Sequence, residues 1–148
     1  MVSIYAVGLV IAMVAIGYLY FEGTSNNEDD PFQEWIVSGP FKLNQHEYKL
    51  GESVFMSIGD LAPQESGHIL IIRPNGEVYD TISFDATIKT SFNHYWAPEL
   101  SIPLGICDVD DLLGTWKLVF DGVNYEEIPF EVIDEFIPQE EIHYEPVC

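Results

Sequence analysis

The 148-residue chain has the length of one domain, and its 25 acidic against 5 basic residues leave a net charge of −20. Phosphate backbones and anionic headgroups would repel such a chain, which excludes nucleic acid as a partner and holds the folded part off an anionic membrane surface. With 47% hydrophobic and 14% aromatic residues it is no disordered polyelectrolyte; the acidity reads as solubility in a salty or crowded medium, or as a negative surface that gathers cations or a basic partner.

Val2 to Phe21 (VSIYAVGLVIAMVAIGYLYF) carries no charge. At ~1.5 Å per residue it spans ~30 Å, the hydrocarbon thickness of a bilayer. No polar residue recurs every third or fourth position, and Tyr18, Tyr20 and Phe21 stand at one end, where amphipathic rings favour the headgroup region. A cleaved signal peptide would need a basic start and a small-x-small site, and the run has neither. A single transmembrane anchor over 1–22 is expected, with the bulk of the chain outside the cytoplasm. Gly8 and Ala12 form one small-xxx-small pair, a weak sign of helix packing. Residues 23–31, from Gly23 to Pro31, are polar and aperiodic, and read as a juxtamembrane linker.

From Phe32 onward short apolar runs alternate with turn chemistry. Glu52 to Ile58 is one strand, and His68 to Ile72 another. Asn75-Gly76 then predicts a hairpin, because both residues tolerate positive φ. Its second arm, Glu77 to Phe84, places Val78, Ile82 and Phe84 on one face with Asp80 as the exception. Lys89 to Trp96 follows, and then an irregular stretch from Ala97 to Leu113. Thr115 to Phe120 alternates Trp116, Leu118 and Phe120 against Thr115, Lys117 and Val119. Asp121-Gly122 is expected to turn the chain, and Ile128, Phe130 and Val132 share a face on the return. About seven strands over 32–133 predict an all-β, antiparallel sandwich.

Asp108-Val-Asp110-Asp111 begins like a calcium loop, but Leu113 stands where that loop needs Gly. A solvated loop capping a turn at Leu112 is the simpler reading. His46, His68, His94 and His143 show no ligand spacing; His68, opening an apolar strand, reads as an edge-of-core residue. No G-x-S-x-G, H-E-x-x-H, P-loop or dinucleotide fingerprint is present, so neither enzyme, metal nor cofactor is expected.

The tail, 134–148, mixes five carboxylates with Phe136, Ile137, Ile142 and Tyr144, more apolar surface than a solvated tail needs. It is either disordered or tied onto this domain or a partner. Of the two cysteines, Cys107 lies in the irregular stretch and Cys148 closes the tail. A disulfide between them would clasp the tail to the domain; an intermolecular bond and two free thiols are the alternatives.

Two resemblances follow from these residues. Tyr48-Lys-Leu-Gly-Glu52, Gly114-Thr-Trp-Lys-Leu-Val-Phe120 and Ile128-Pro-Phe-Glu-Val132 resemble the immunoglobulin-like modules of archaeal and bacterial surface proteins, over roughly 36–133. That implies an immunoglobulin-like sandwich without the Cys…Trp…Cys core of antibody domains, and says almost nothing of function. The apolar N-terminal run, Ser91-Phe-Asn-His-Tyr-Trp-Ala-Pro98 and Tyr144-Glu-Pro-Val-Cys148 are similar to small membrane-anchored envelope proteins of ammonia-oxidising archaea. The expectation is a non-catalytic module, held in the bilayer by its helix, that binds a protein partner or assembles in the cell envelope. An accessory subunit of a membrane enzyme complex, such as an archaeal ammonia monooxygenase, and a filament or surface-layer subunit are the alternatives.

Overall fold

A computed structural model describes residues 35–148. The expected anchor and linker lie outside the described residues, and among those described no helix is long and apolar enough to cross a membrane. Nine strands run through the described part: β1 (Ile36–Ser38), β2 (Phe41–Leu43), β3 (Glu47–Leu50), β4 (Val54–Ile58), β5 (Ser66–Ile72), β6 (Val78–Asp85), β7 (Phe92–Trp96), β8 (Gly114–Asp121) and β9 (Ile128–Phe136). Short 3₁₀ turns cover Ile102–Leu104, Val109–Asp111 and Glu141–His143. The strands make two sheets, ordered β1-β2-β4-β7 and β3-β9-β8-β5-β6.

The all-β sandwich is therefore present, but it is not wholly antiparallel. β3 runs parallel to β9, with Tyr48 beside Val132. The chain changes sheet after β2, so the first strand of the larger sheet pairs with its last strand, far away in sequence. Neighbours distant in sequence leave no turn signal to read. Asn44 holds the crossover: its Oδ1 accepts from the Tyr48 hydroxyl at 2.7 Å and from the Phe55 N–H at 3.2 Å.

Period-two alternation sets the core as expected on β4, β8 and β9. Phe41 stacks on Phe120 across the sandwich at 4.0 Å, with the Phe84 edge 5.3 Å away. Trp116 is fully buried, stacked on Phe130 at 6.1 Å and met edge-on by Tyr79 at 5.2 Å. Its indole N–H donates to the Leu112 carbonyl at 2.7 Å, so the one polar atom of the largest core residue is paired.

Both expected hairpins exist with different turns. Gly76 N–H donates to the Arg73 carbonyl at 2.9 Å, and Arg73 N–H to the Glu77 carbonyl at 2.9 Å. That is a three-residue loop: Pro74 supplies its fixed φ, and only Gly76 takes positive φ, at +88°. The extra residue shifts the register at Ile71/Ile72, where Asp80 and Val78 oppose successive residues. Tyr79 thereby packs against the core while Val78 is exposed, reversing the expected face of β6 at that point. The second turn is a six-residue loop, 122–127, because β8 continues along β5 beyond its pairing with β9, to His68 opposite Asp121. There β5 carries Gly67, and any side chain at that position would overlap the Asp121 carbonyl oxygen.

The tail is tied down. β9 runs past Ile133 to Phe136, and Ile137 N–H donates to the Leu50 carbonyl at 3.1 Å. Tyr144 is buried against Phe136, and its hydroxyl donates to the Pro98 carbonyl at 2.9 Å. Val147 N–H donates to the Cys107 carbonyl at 2.9 Å, and a disulfide joins Cys107 to Cys148 with Cα atoms 5.1 Å apart.

Two substitutions test this arrangement by urea unfolding. Trp116→Ala is expected to cost about 3–5 kcal/mol, because it leaves a cavity and an unpaired Leu112 carbonyl. Cys148→Ser is expected to cost about 4 kcal/mol, the chain-entropy value for a loop of 41 residues. A loss under about 1 kcal/mol in either case would contradict the assigned role.

Candidate functional site

The 25 carboxylates are not spread evenly. The larger sheet carries Glu47, Asp80, Asp85, Asp121, Glu131, Asp134 and Glu135 in its strands, whereas β1, β2, β4 and β7 contain no Asp or Glu. The outer face of this smaller sheet is built in two rows by the strand registers. One row reads Val37, Lys42, Ser57 and Asn93. The other places Tyr95 beside Phe55, with Trp35 at its far end.

Tyr95 stacks on Phe55 at 4.6 Å with an interplanar angle of 21°, and Trp35 meets Phe55 edge-on at 5.6 Å. Val37 is 58% exposed and Tyr95 65%. Local folding explains the row: inward residues of β4 (Val54, Met56, Ile58) fill the core, so Phe55 and Ser57 must point outward. Aromatic enrichment with depletion of carboxylates is the composition of an interface centre, set here on an otherwise acidic molecule.

The cations sharpen the pattern. Lys49 pairs with Glu135 at 2.6 Å, Lys117 with Glu127 at 3.0 Å, and buried Arg73 with Glu77. The Glu135 hydrogen bond raises the Lys49 pKa above its ordinary value. Among the described residues Lys42 and Lys89 have no ion-pair partner. Lys42 stands on the aromatic face, and Lys89 lies 5.9 Å over the Phe92 ring beside that sheet's edge.

At the same edge the sandwich opens into a groove of about 660 Å³, lined by residues of β5, β6 and β7 and by the β6–β7 connection. Phe84, Ile88 and Phe92 supply its apolar surface, with Ile88 83% exposed; Ser66, His68, Ser83, Asp85 and Asn93 supply polar groups. Hydrogen bonds from the Thr87 hydroxyl and N–H hold the Asp85 carboxyl below the usual carboxylate range. His68 is exposed rather than at the edge of the core, its Nδ1 3.9 Å from Asp121 Oδ2. The reason is parity: β5 turns Ile69 and Ile71 inward, so His68 faces out.

The other singled-out residues have structural surroundings. Asp108 Oδ1 accepts from Asp110 N–H at 3.0 Å, and Asp111 Oδ2 from Cys107 N–H at 2.7 Å. These carboxylates cap the 3₁₀ turn that presents Leu112 to the core. His46 and His143 are exposed, and His94 is half-buried with its ring 5.9 Å from Trp96. Among the described residues no group of three or more His, Cys, Asp or Glu side chains is placed to hold a metal. Sequence reasoning missed the aromatic face altogether. Counting charge strand by strand, rather than over the chain, would have exposed it.

Comparison with protein families, curated proteins and solved structures found no match.

Surface residues that serve recognition rather than folding should be dispensable to stability. Tyr95→Ser and Lys42→Ser are each expected to lower unfolding free energy by less than about 1 kcal/mol, read by urea titration. A loss of about 3 kcal/mol would make the aromatic row part of the fold's own packing.

Proposed function

We propose that this chain is a non-catalytic envelope module: a single-pass membrane protein whose immunoglobulin-like ectodomain binds a protein partner or takes its place in an assembly through the aromatic, carboxylate-free face of its smaller sheet. That face carries the reading. Three exposed or half-exposed rings, Val37 and a lysine without an ion-pair partner among the described residues interrupt a surface that is acidic elsewhere, and isolated soluble domains seldom leave such a patch uncovered.

Three further observations support it. The uncharged run from Val2 to Phe21 has the length of a bilayer span. A disulfide suits an oxidising compartment outside the cytoplasm. The sheet orders β9-β8-β5-β6 and β2-β4-β7 correspond to G-F-C-C′ and A-B-E of the immunoglobulin Greek key.

The test is photo-cross-linking in native membranes, with a photoreactive amino acid placed at Tyr95 or Val37 and, as control, at Glu131 on the opposite sheet. Expected is one discrete adduct from the aromatic face and none from Glu131, with the protein retained in the membrane pellet after carbonate washing. Equal labelling from both sheets would defeat the face assignment, and release by carbonate would defeat the anchor.

A further inference from the structure

Among the described residues the two sheets have four edge strands, and three are blunted. β1 has three residues, β3 has four and carries charges at Glu47 and Lys49, and β6 is broken by the register shift at Tyr79 and bears Asp80 and Asp85. Natural sheets protect their edges by such shortness, charge and bulges. β7, Phe92-Asn-His-Tyr-Trp96, has none of these. It holds five residues without proline, lysine or carboxylate and pairs with β4 in unbroken register from Val54/Trp96 to Ile58/Phe92.

The ladder fixes which backbone groups face outward. Asn44 N–H donates to the Phe55 carbonyl, so Phe55 directs its backbone groups to β2, and Val54, Met56 and Ile58 direct theirs to β7. Their partners Trp96, His94 and Phe92 point back toward β4. The N–H and C=O of Asn93 and Tyr95 therefore point off the open edge, and neither residue's backbone makes a hydrogen bond to another loop or side chain among the described residues.

The surroundings of this edge are equally one-sided. Beyond its end the Tyr79 hydroxyl donates to the Ala97 carbonyl and accepts from Glu99 N–H, each at 3.2 Å, which closes the sandwich there. Toward Phe92 the sheets part into the 660 Å³ groove with its apolar Phe84, Ile88 and Phe92. One side of the edge thus offers an apolar groove, and the other the aromatic face with Tyr95.

We propose that the open edge of β7 is a strand-addition site for an extended segment of a partner protein. The segment pairs with the Asn93 and Tyr95 backbones and sends alternate side chains into the groove and onto the aromatic row. Its chemistry follows from charge: a chain of net −20 steers in a segment of net positive charge, with apolar residues at every second position and its Lys or Arg side chains clear of Lys42 and Lys89. Net charge opposes a second copy of this chain as the occupant. This deepens the binding-module reading above and rests on it.

The full chain in nanodiscs is panned against a random dodecapeptide library. Expected binders alternate apolar residues and carry Lys or Arg. In NMR they slow amide exchange at Asn93 and Tyr95. N-methylation of alternate residues should weaken binding about tenfold in one parity and leave the other within about twofold, since a strand pairs through every second residue and two hydrogen bonds are lost. Asn93→Pro, which removes an outward donor without a ladder bond, should reproduce the loss. Binders indifferent to both N-methylated forms, yet protecting the aromatic row, would overturn strand addition while leaving the binding module standing. No binder at all overturns both, and β7 protection arising from concentration-dependent self-pairing overturns the partner assignment.

Discussion

The tertiary structure is organised around burying one indole. Trp116 is fully buried, and leaving its N–H without an acceptor would cost about 1–3 kcal/mol. That acceptor is the Leu112 carbonyl, four residues earlier in the chain. Leu112 is held there by the 3₁₀ turn that Asp108 and Asp111 cap reciprocally, and the same Asp111 carboxylate accepts from Cys107 N–H. Cys107 in turn receives the tail through its disulfide and through Val147. An irregular, acidic, proline-containing stretch is thereby ordered by a single polar atom in the core, and the C-terminus is ordered by that stretch.

The same chain solves a charge problem. A net charge of −20 on a chain of 148 residues generates self-repulsion, relieved only partly by salt. Three of the five cations are set against carboxylates on the larger sheet or its turns. The carboxylates themselves are kept off four whole strands. Segregation of this kind does nothing for the core, to which both sheets contribute buried apolar side chains. It leaves one surface where another macromolecule can approach without desolvating an anion, a step that costs several kcal/mol per unpaired charge. Tyr95 and Phe55 stand on that surface as stacked plates, edges outward, a shape suited to interdigitating with apolar side chains rather than to stacking flat on a ligand.

What depends on near neighbours was legible along the chain. Alternation placed Trp116, Leu118 and Phe120, and Ile128, Phe130 and Val132, in the core, because a strand's two faces differ every second residue. Asn75-Gly76 located the Arg73–Glu77 turn, and the apolar residues of the tail marked a segment with something to bury, realised at Tyr144. The tertiary structure alone decided what depends on distant pairing. Nothing near Glu47–Leu50 announces a parallel partner some eighty residues away, and the register shift that turns Tyr79 inward and Val78 outward arises from the length of a loop. The candidate site belongs wholly to this second kind. Trp35, Phe55 and Tyr95 are scattered over sixty residues and become one row only when β1, β2, β4 and β7 pair, because an outer sheet face is assembled by register rather than by sequence.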